Sequence, residues 1–248
     1  MDRAKFYADV RQNLFDGRLS DAQVKGMDPL LDECQKHLND VRHAAYVLGG
    51  VYHETGRKMT PVREGFAKTD AGARAAVNKL AKRRGANSAV ARYARPAGPH
   101  GHVYYGRGRI QNTWLENYER LQRRFGRPFV AQPDLLLDDA VDAEVTVVGH
   151  VEGIWTDKKL ADYIGGDKCD YFGARRIING TDKAAEIATY AKKFEAALRA
   201  AGYGPAAKPA AAVRPAAAPA TPAPAAAPAT NVWDAVFNII IKLFRGGK

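Results

Sequence analysis

The sequence has little cysteine, almost no strand-like alternation and no long apolar run. Its two cysteines, Cys34 and Cys169, are too few for a disulfide framework, and free thiols in a reducing compartment are the economical reading. No stretch reaches the roughly 18 consecutive apolar residues that a membrane-spanning helix needs. The opening residues Met1-Asp2-Arg3-Ala4-Lys5-Phe6 lack the apolar centre of a secretory signal. A soluble chain, made and held in the cytoplasm, is therefore expected. Polar–apolar alternation at period two is nearly absent, which predicts a mainly α body with at most a short hairpin near Tyr104-Tyr105. His43, His100 and His102 stand without Cys, His or Asp partners at ligand spacing, so no metal is expected.

The chain has 248 residues, 46% of them apolar, enough for one domain of ordinary size with appendages. A sharp composition break follows Gly202-Tyr203. Residues 204–230 are almost entirely Ala and Pro, and seven of the 13 prolines fall there. Proline removes backbone donors and fixes φ, so a semi-rigid, partly polyproline II spacer is expected. The chain thus divides into a body (1–203), a linker (204–230) and a short C-terminal segment (231–248).

In the body the apolar spacing is helical. Residues 5–15 place Phe6, Val10 and Leu14 on one face. Ser20 reads as an N-cap, with Gln23 closing a capping box. Residues 28–38 and 40–53 each carry one apolar stripe. Helices are also predicted over 70–84, 112–125, 138–151 and 182–200, and a long loop over 96–108, where Pro and Gly cluster.

The formal net charge is +11. Lys208, Arg214, Lys242, Arg245 and Lys248, against Asp234, place +4 of it beyond residue 203, and the rest lies on the body. Such a charge suits polyanions: nucleic acid, anionic lipid or a bacterial envelope. Between Asn231 and Arg245 the polar residues Asp234, Asn238, Lys242 and Arg245 form one narrow helical stripe, and Trp233, Phe237 and Phe244 lie among the apolar remainder. This is the pattern of a helix lying in the surface of an anionic membrane. Docking of the same segment on the body, or on a second copy, stays open.

Several residues suit glycoside hydrolysis, which usually needs two carboxyl groups flanking the scissile bond. The donor must stay protonated near neutral pH, which burial achieves. Glu54 ends the apolar helix 40–53, in His53-Glu54-Thr55-Gly56. A carboxylate is disfavoured at the negative end of a helix, so this position invites a functional reading; a surface glutamate is the plain alternative. Glu64, in Pro61-Val62-Arg63-Glu64-Gly65, is either a second acid across a groove or a loop glutamate paired with an arginine. The run from Tyr104 to Tyr118 supplies Gln111, Thr113 and Asn117 for sugar hydroxyls and N-acetyl groups, and Tyr105 and Trp114 as faces for sugar rings. A glycine-rich loop followed by a helix with core aromatics explains the same run.

Taken together, His53-Glu54-Thr55 and Tyr104-Tyr105-Gly106-Arg107-Gly108-x-Ile110-Gln111-x-Thr113-x-x-x-Asn117-Tyr118 resemble glycoside hydrolase family 19, the plant-type chitinases and a branch of phage endolysins. Gln132-Pro133-Asp134-Leu135 and Arg175-Arg176-Ile177-Ile178-Asn179-Gly180 agree. The resemblance spans roughly residues 5–200. It implies a lysozyme-like, two-lobed α domain with a central cleft and an inverting mechanism without a cofactor. It makes Glu54 the general acid, Glu64 the residue that activates water, and Thr113 a group that orients this water. It makes His53, Tyr105, Arg107, Gln111, Trp114, Asn117, Arg175 and Asn179 substrate contacts. The sequence departs from plant members at Arg57-Lys58, at Asn112, where leucine is usual, and in lacking their disulfides. These departures, with Trp155 to Ile164, favour the endolysin branch. The expected substrate is then bacterial peptidoglycan, cut by a monomer released from the host cytoplasm to the periplasmic wall, with no nucleic-acid partner. A chitinase, or an inactive wall-binding protein, is the alternative.

Overall fold

The structure is a computed structural model and describes residues 1–204. The linker and C-terminal segment expected over 204–230 and 231–248 therefore lie, but for Gly204, outside the described residues. The helices are α1 (Arg3–Asn13), α2 (Asp21–His37), α3 (Val41–Glu54), α4 (Asp70–Arg84), α5 (Ala89–Tyr93), α6 (Leu115–Phe125), α7 (Asp139–Glu152), α8 (Leu160–Tyr163) and α9 (Ala184–Ala200). Two-residue strands β1 (Val62–Arg63) and β2 (Arg107–Gly108) pair antiparallel, as do β3 (Ile164–Gly165) and β4 (Lys168–Cys169). Among the described residues no helix is long and apolar enough to cross a membrane. Both thiols are free, Cys34 buried and Cys169 exposed.

Local chemistry sets most helix limits. Ser20 caps α2, and Gln23 completes the reciprocal box. Asp40, Thr69 and Asp138 cap α3, α4 and α7 through their side chains. Two predictions shift. The segments around 21–24 and 28–38 form one helix that runs through Pro29, because Met27, Leu30, Leu31 and Cys34 bury a continuous face. That burial outweighs the one backbone bond that proline cannot make. Helix α6 starts at Leu115 rather than 112. Asn112 N and O both bond back to Arg107, closing a turn, and Trp114 has φ of 77°, which a helix cannot contain. The expected hairpin near Tyr104-Tyr105 is this turn over 107–112, and β2 pairs instead with the distant β1.

Apolar side chains separate into one large core and two smaller ones. The large core joins α1, α2, α3, α9 and one face of α7. A second unites α4 and α5 with Val103 and Tyr105. A third holds Tyr104, Tyr118, Leu121, Phe129, Leu136 and Val145. Helix α7 lies between lobes: Ala143 and Val147 face the large core, and Val145 faces the third. This is why nearly every α7 residue from Asp142 to His150 is buried. Helix α3 is likewise buried from Ala44 to Glu54. Gly49 lets α9 cross it closely, since a Cβ there would stand 2.8 Å from the Ala191 nitrogen. The mainly α body matches the expectation, with Glu54 at the end of its most buried helix.

Candidate active site

Glu54 is the last residue of α3 and only 5% exposed. Its Oε1 accepts a hydrogen bond from Arg175 Nη1 at 2.5 Å. Its Oε2 is buried and has no hydrogen-bond partner among the described residues. Burial raises the carboxyl above its ordinary range, and the Arg175 cation only partly opposes this. Arg175 is itself fixed, because its Nε donates to the Asp182 carbonyl at 3.2 Å. One oxygen is thus pinned and the other can hold a proton. The preceding His53 is buried, with its ring centroid 6.4 Å from that of Tyr190.

Glu64 is also buried, but its surroundings differ. Oε1 accepts from the Tyr93 hydroxyl at 2.7 Å and Oε2 from the Gly106 amide at 2.9 Å. Burial again raises its carboxyl, and here the Gly106 and Tyr93 donors oppose it, followed by the Arg107 charge. Donors on both oxygens favour the ionised form. Neither Tyr93 nor the Gly106 amide was visible as a partner in the sequence.

Four of the expected site residues meet in one place. Gln111, Thr113, Asn117 and Asn179 line a small pocket with Ile110, Asn112, Trp155 and Ile178. Its cavity volume is about 20 Å³, room for one water-sized group. Hydrogen bonds shape its wall: Gln111 Nε2 donates to the Val62 and Gly108 carbonyls, Thr113 Oγ1 to the Gln111 carbonyl, and Asn117 Nδ2 to the Thr113 carbonyl. Neither Glu54 nor Glu64 lines this pocket, and its wall reaches only backbone near them. Gln111 Nε2 donates to the carbonyl of Val62, two residues before Glu64, and the backbone N–H of Asn179 donates to the carbonyl of Arg175, the partner of Glu54.

Four expected sugar contacts are placed differently. Arg175 donates to Glu54 Oε1 and so holds the acid rather than a sugar. Tyr105 is fully buried; its hydroxyl donates to Asp70, and the Arg107 guanidinium covers its face 3.6 Å from the ring centroid. Arg107 bonds Asp134 at 2.7 Å and Asp70 at 3.3 Å. It lines a separate polar hollow with Asp70, Arg74, His102 and Asp134. Trp114 packs edge-on to Tyr93 and under Arg92. A buried arginine needs anions and an apolar face, so Tyr105 and Tyr118 are drawn into the core around Arg107.

Arg109, between Gly108 and Ile110, carries no signal of burial in the sequence. It is 0% exposed. It donates to the Met59 and Gly26 carbonyls and pairs with Asp139 and with buried Asp142. Gly108 permits this arrangement: its φ is 85°, and a Cβ there would overlap the Asp142 carboxylate.

The family model described as chitinase class I matches residues 38–156, a stretch holding both acids and the whole 104–118 segment. Residues 38–156 belong to glycoside hydrolase family 19. The chain is thereby similar to glycoside hydrolases that act on glycan polymers. It is similar to chitinase C from Streptomyces griseus HUT6037, with 20% identity over 83% of this chain and 78% of that one and a TM-score of 0.44. It is also similar to a chitinase C mutant, with 19% identity over 84% and 95% of the two chains and a TM-score of 0.39. Among curated proteins none matches it significantly.

Proposed function

We propose that this protein is an endolysin that hydrolyses β-1,4 bonds in the glycan strands of peptidoglycan by an inverting acid–base mechanism. The observation that carries the reading is Glu54: a buried carboxyl with one oxygen fixed by Arg175 and the other unengaged. From that second oxygen a proton passes to the leaving glycosidic oxygen. Glu64, ionised, takes a proton from the attacking water, which Thr113 helps to orient. The C1–O bond breaks as the water oxygen bonds to C1 from the opposite face. Gln111, Asn117 and Asn179 offer amide groups to the sugar, and Arg175 positions the acid.

Peptidoglycan is favoured by the net charge of +11, which suits an envelope rich in phosphates and carboxylates. The chain would reach the wall after release from the host cytoplasm. A chitinase is the second reading, supported by the description of the matching family model. Both polymers are β-1,4-linked and contain N-acetylglucosamine. Mass spectrometry of fragments from digested sacculi, run beside chitin oligomers, tests the choice. New reducing ends from sacculi, formed faster than from chitin, are expected; cleavage of chitin alone would overturn the endolysin assignment.

The apolar C-terminal segment with Lys242, Arg245 and Lys248 is proposed to lie in anionic bacterial membrane. Removal of residues 204–248 is then expected to abolish binding to anionic liposomes while leaving hydrolysis of soluble glycan unchanged. Equal liposome binding by the shortened and full-length chains would refute the membrane role.

A further inference from the structure

Asn112 has a side chain held in place at one end and unengaged at the other. Its backbone N and O are both bonded to Arg107, and its carbonyl also accepts from the Tyr118 hydroxyl. Its Oδ1 accepts from Trp155 Nε1 at 3.1 Å. Because the indole nitrogen only donates, that bond dictates which end of the amide is oxygen. Nδ2 is left buried, with no hydrogen-bond partner among the described residues. Asn112 is 3% exposed and lines the same pocket as Thr113, Asn117 and Asn179.

Trp155 cannot easily move to release it. The indole packs edge-on to the buried His150 ring, with centroids 5.4 Å apart. It also fills the space beside Gly149, where any Cβ would overlap its six-membered ring. A glycine in the interior of α7 weakens the helix, and here it admits the indole. The direction of the Asn112 amide is therefore preset before any ligand arrives.

A buried amide donor without an acceptor is costly, and folded proteins seldom keep one without a use. The cavity admits one water-sized group and no sugar ring. Of the groups a wall or chitin sugar carries, an acyl oxygen is the strong acceptor that fits this space. We infer that Asn112 is a specificity-determining residue whose Nδ2 receives an acyl oxygen of a bound amino sugar. The oxygen comes from an N-acetyl group or from the lactyl group of a muramic residue. This rests on the reading that the pocket receives a glycan.

The test uses full-length protein and two variants. Asn112→Asp keeps an acceptor for Trp155 but removes the donor; Asn112→Leu removes both. Binding is measured by calorimetry, and turnover by reducing ends, on three ligands: N-acetylglucosamine oligomers, glycan strands freed of peptide, and the same strands after de-N-acetylation. Asn112→Asp is expected to melt below the parent, because its carboxylate is buried without a cation, while Asn112→Leu carries no charge and serves as the folding control; both are expected to bind about tenfold more weakly. KM should rise by a similar factor with little change in kcat, because the contact is present before the transition state. A loss seen with the oligomers but absent on de-N-acetylated strands assigns the oxygen to the N-acetyl group. The opposite pattern assigns it to the lactyl group. Parental Kd in both variants on every ligand would overturn the inference, as would a parent that binds none of the three. Asn112-dependent binding without turnover in the parent would overturn the hydrolytic reading and uphold this one.

Discussion

Arg109→Ala is expected to lower the melting temperature by roughly 10 °C. Removing one partner of a buried ion pair costs about 3–5 kcal/mol, because the other charge is left behind uncompensated. At this chain length each kcal/mol moves the melting temperature by about 2–4 °C. Arg109 joins α2 through the Gly26 carbonyl, the segment after α3 through Met59, and α7 through Asp139 and Asp142. Three parts of the domain therefore loosen together. The loss should depend on pH. Burial raises Asp142 to about 6 even beside Arg109, and without the cation its folded-state value rises further. A carboxyl raised in the folded state contributes stability at low pH that disappears as pH climbs through the folded value. The gap between variant and parent should therefore be wider at pH 8 than at pH 5. Thermal melts at the two pH values check this; a parental melt at pH 8 would refute the structural role of Arg109.

Glu54→Gln is expected to reduce turnover by about 10³-fold, within the usual contribution of a general acid. It should not unfold the protein. Glutamine is neutral, and its carbonyl oxygen can still accept from Arg175. Because burial raises Glu54 in the folded state, its ionisation weighs against folding as pH rises. Glutamine carries no such cost, so the melting temperature of the variant relative to the parent should increase from pH 5 to pH 8. Loss of activity with an equal or higher melting temperature separates chemistry from folding. Retained turnover would remove Glu54 from the mechanism. The pH profile follows from the same environments. Activity needs Glu64 ionised and Glu54 protonated, and burial raises both. The bell should therefore sit above the ordinary carboxylate range, towards neutrality. Glu64→Gln with parental turnover would show that another group activates the water.

The family motif was legible because it is local: the spacing of Gln111, Thr113 and Asn117 survives in one turn and one helix start, and these residues do share a pocket with Asn179. Tyr105, Arg107 and Trp114 belong to the same run, yet the sequence alone could not say on which side of it they lie. Tyr105 and Arg107 turn into the interior beside the turn over 107–112, and Trp114, at positive φ, is part-buried against Tyr93 and Arg92. Arg109 gave no signal, since an arginine between glycine and isoleucine looks like surface. The role of Asn112 rests on a bond to Trp155, which lies 43 residues away.

From the chain alone one could read most helices, the Ser20 cap of α2, the acid at the end of α3 and the composition break after Tyr203, because propensity, capping and apolar period act over a few residues. Which charged groups are buried, and against what, emerged only on folding. Glu54 with Arg175, Glu64 with Tyr93, and Arg109 with Asp142 pair across 121, 29 and 33 residues. Desolvation and ion pairing depend on distance in space, which sequence separation does not record.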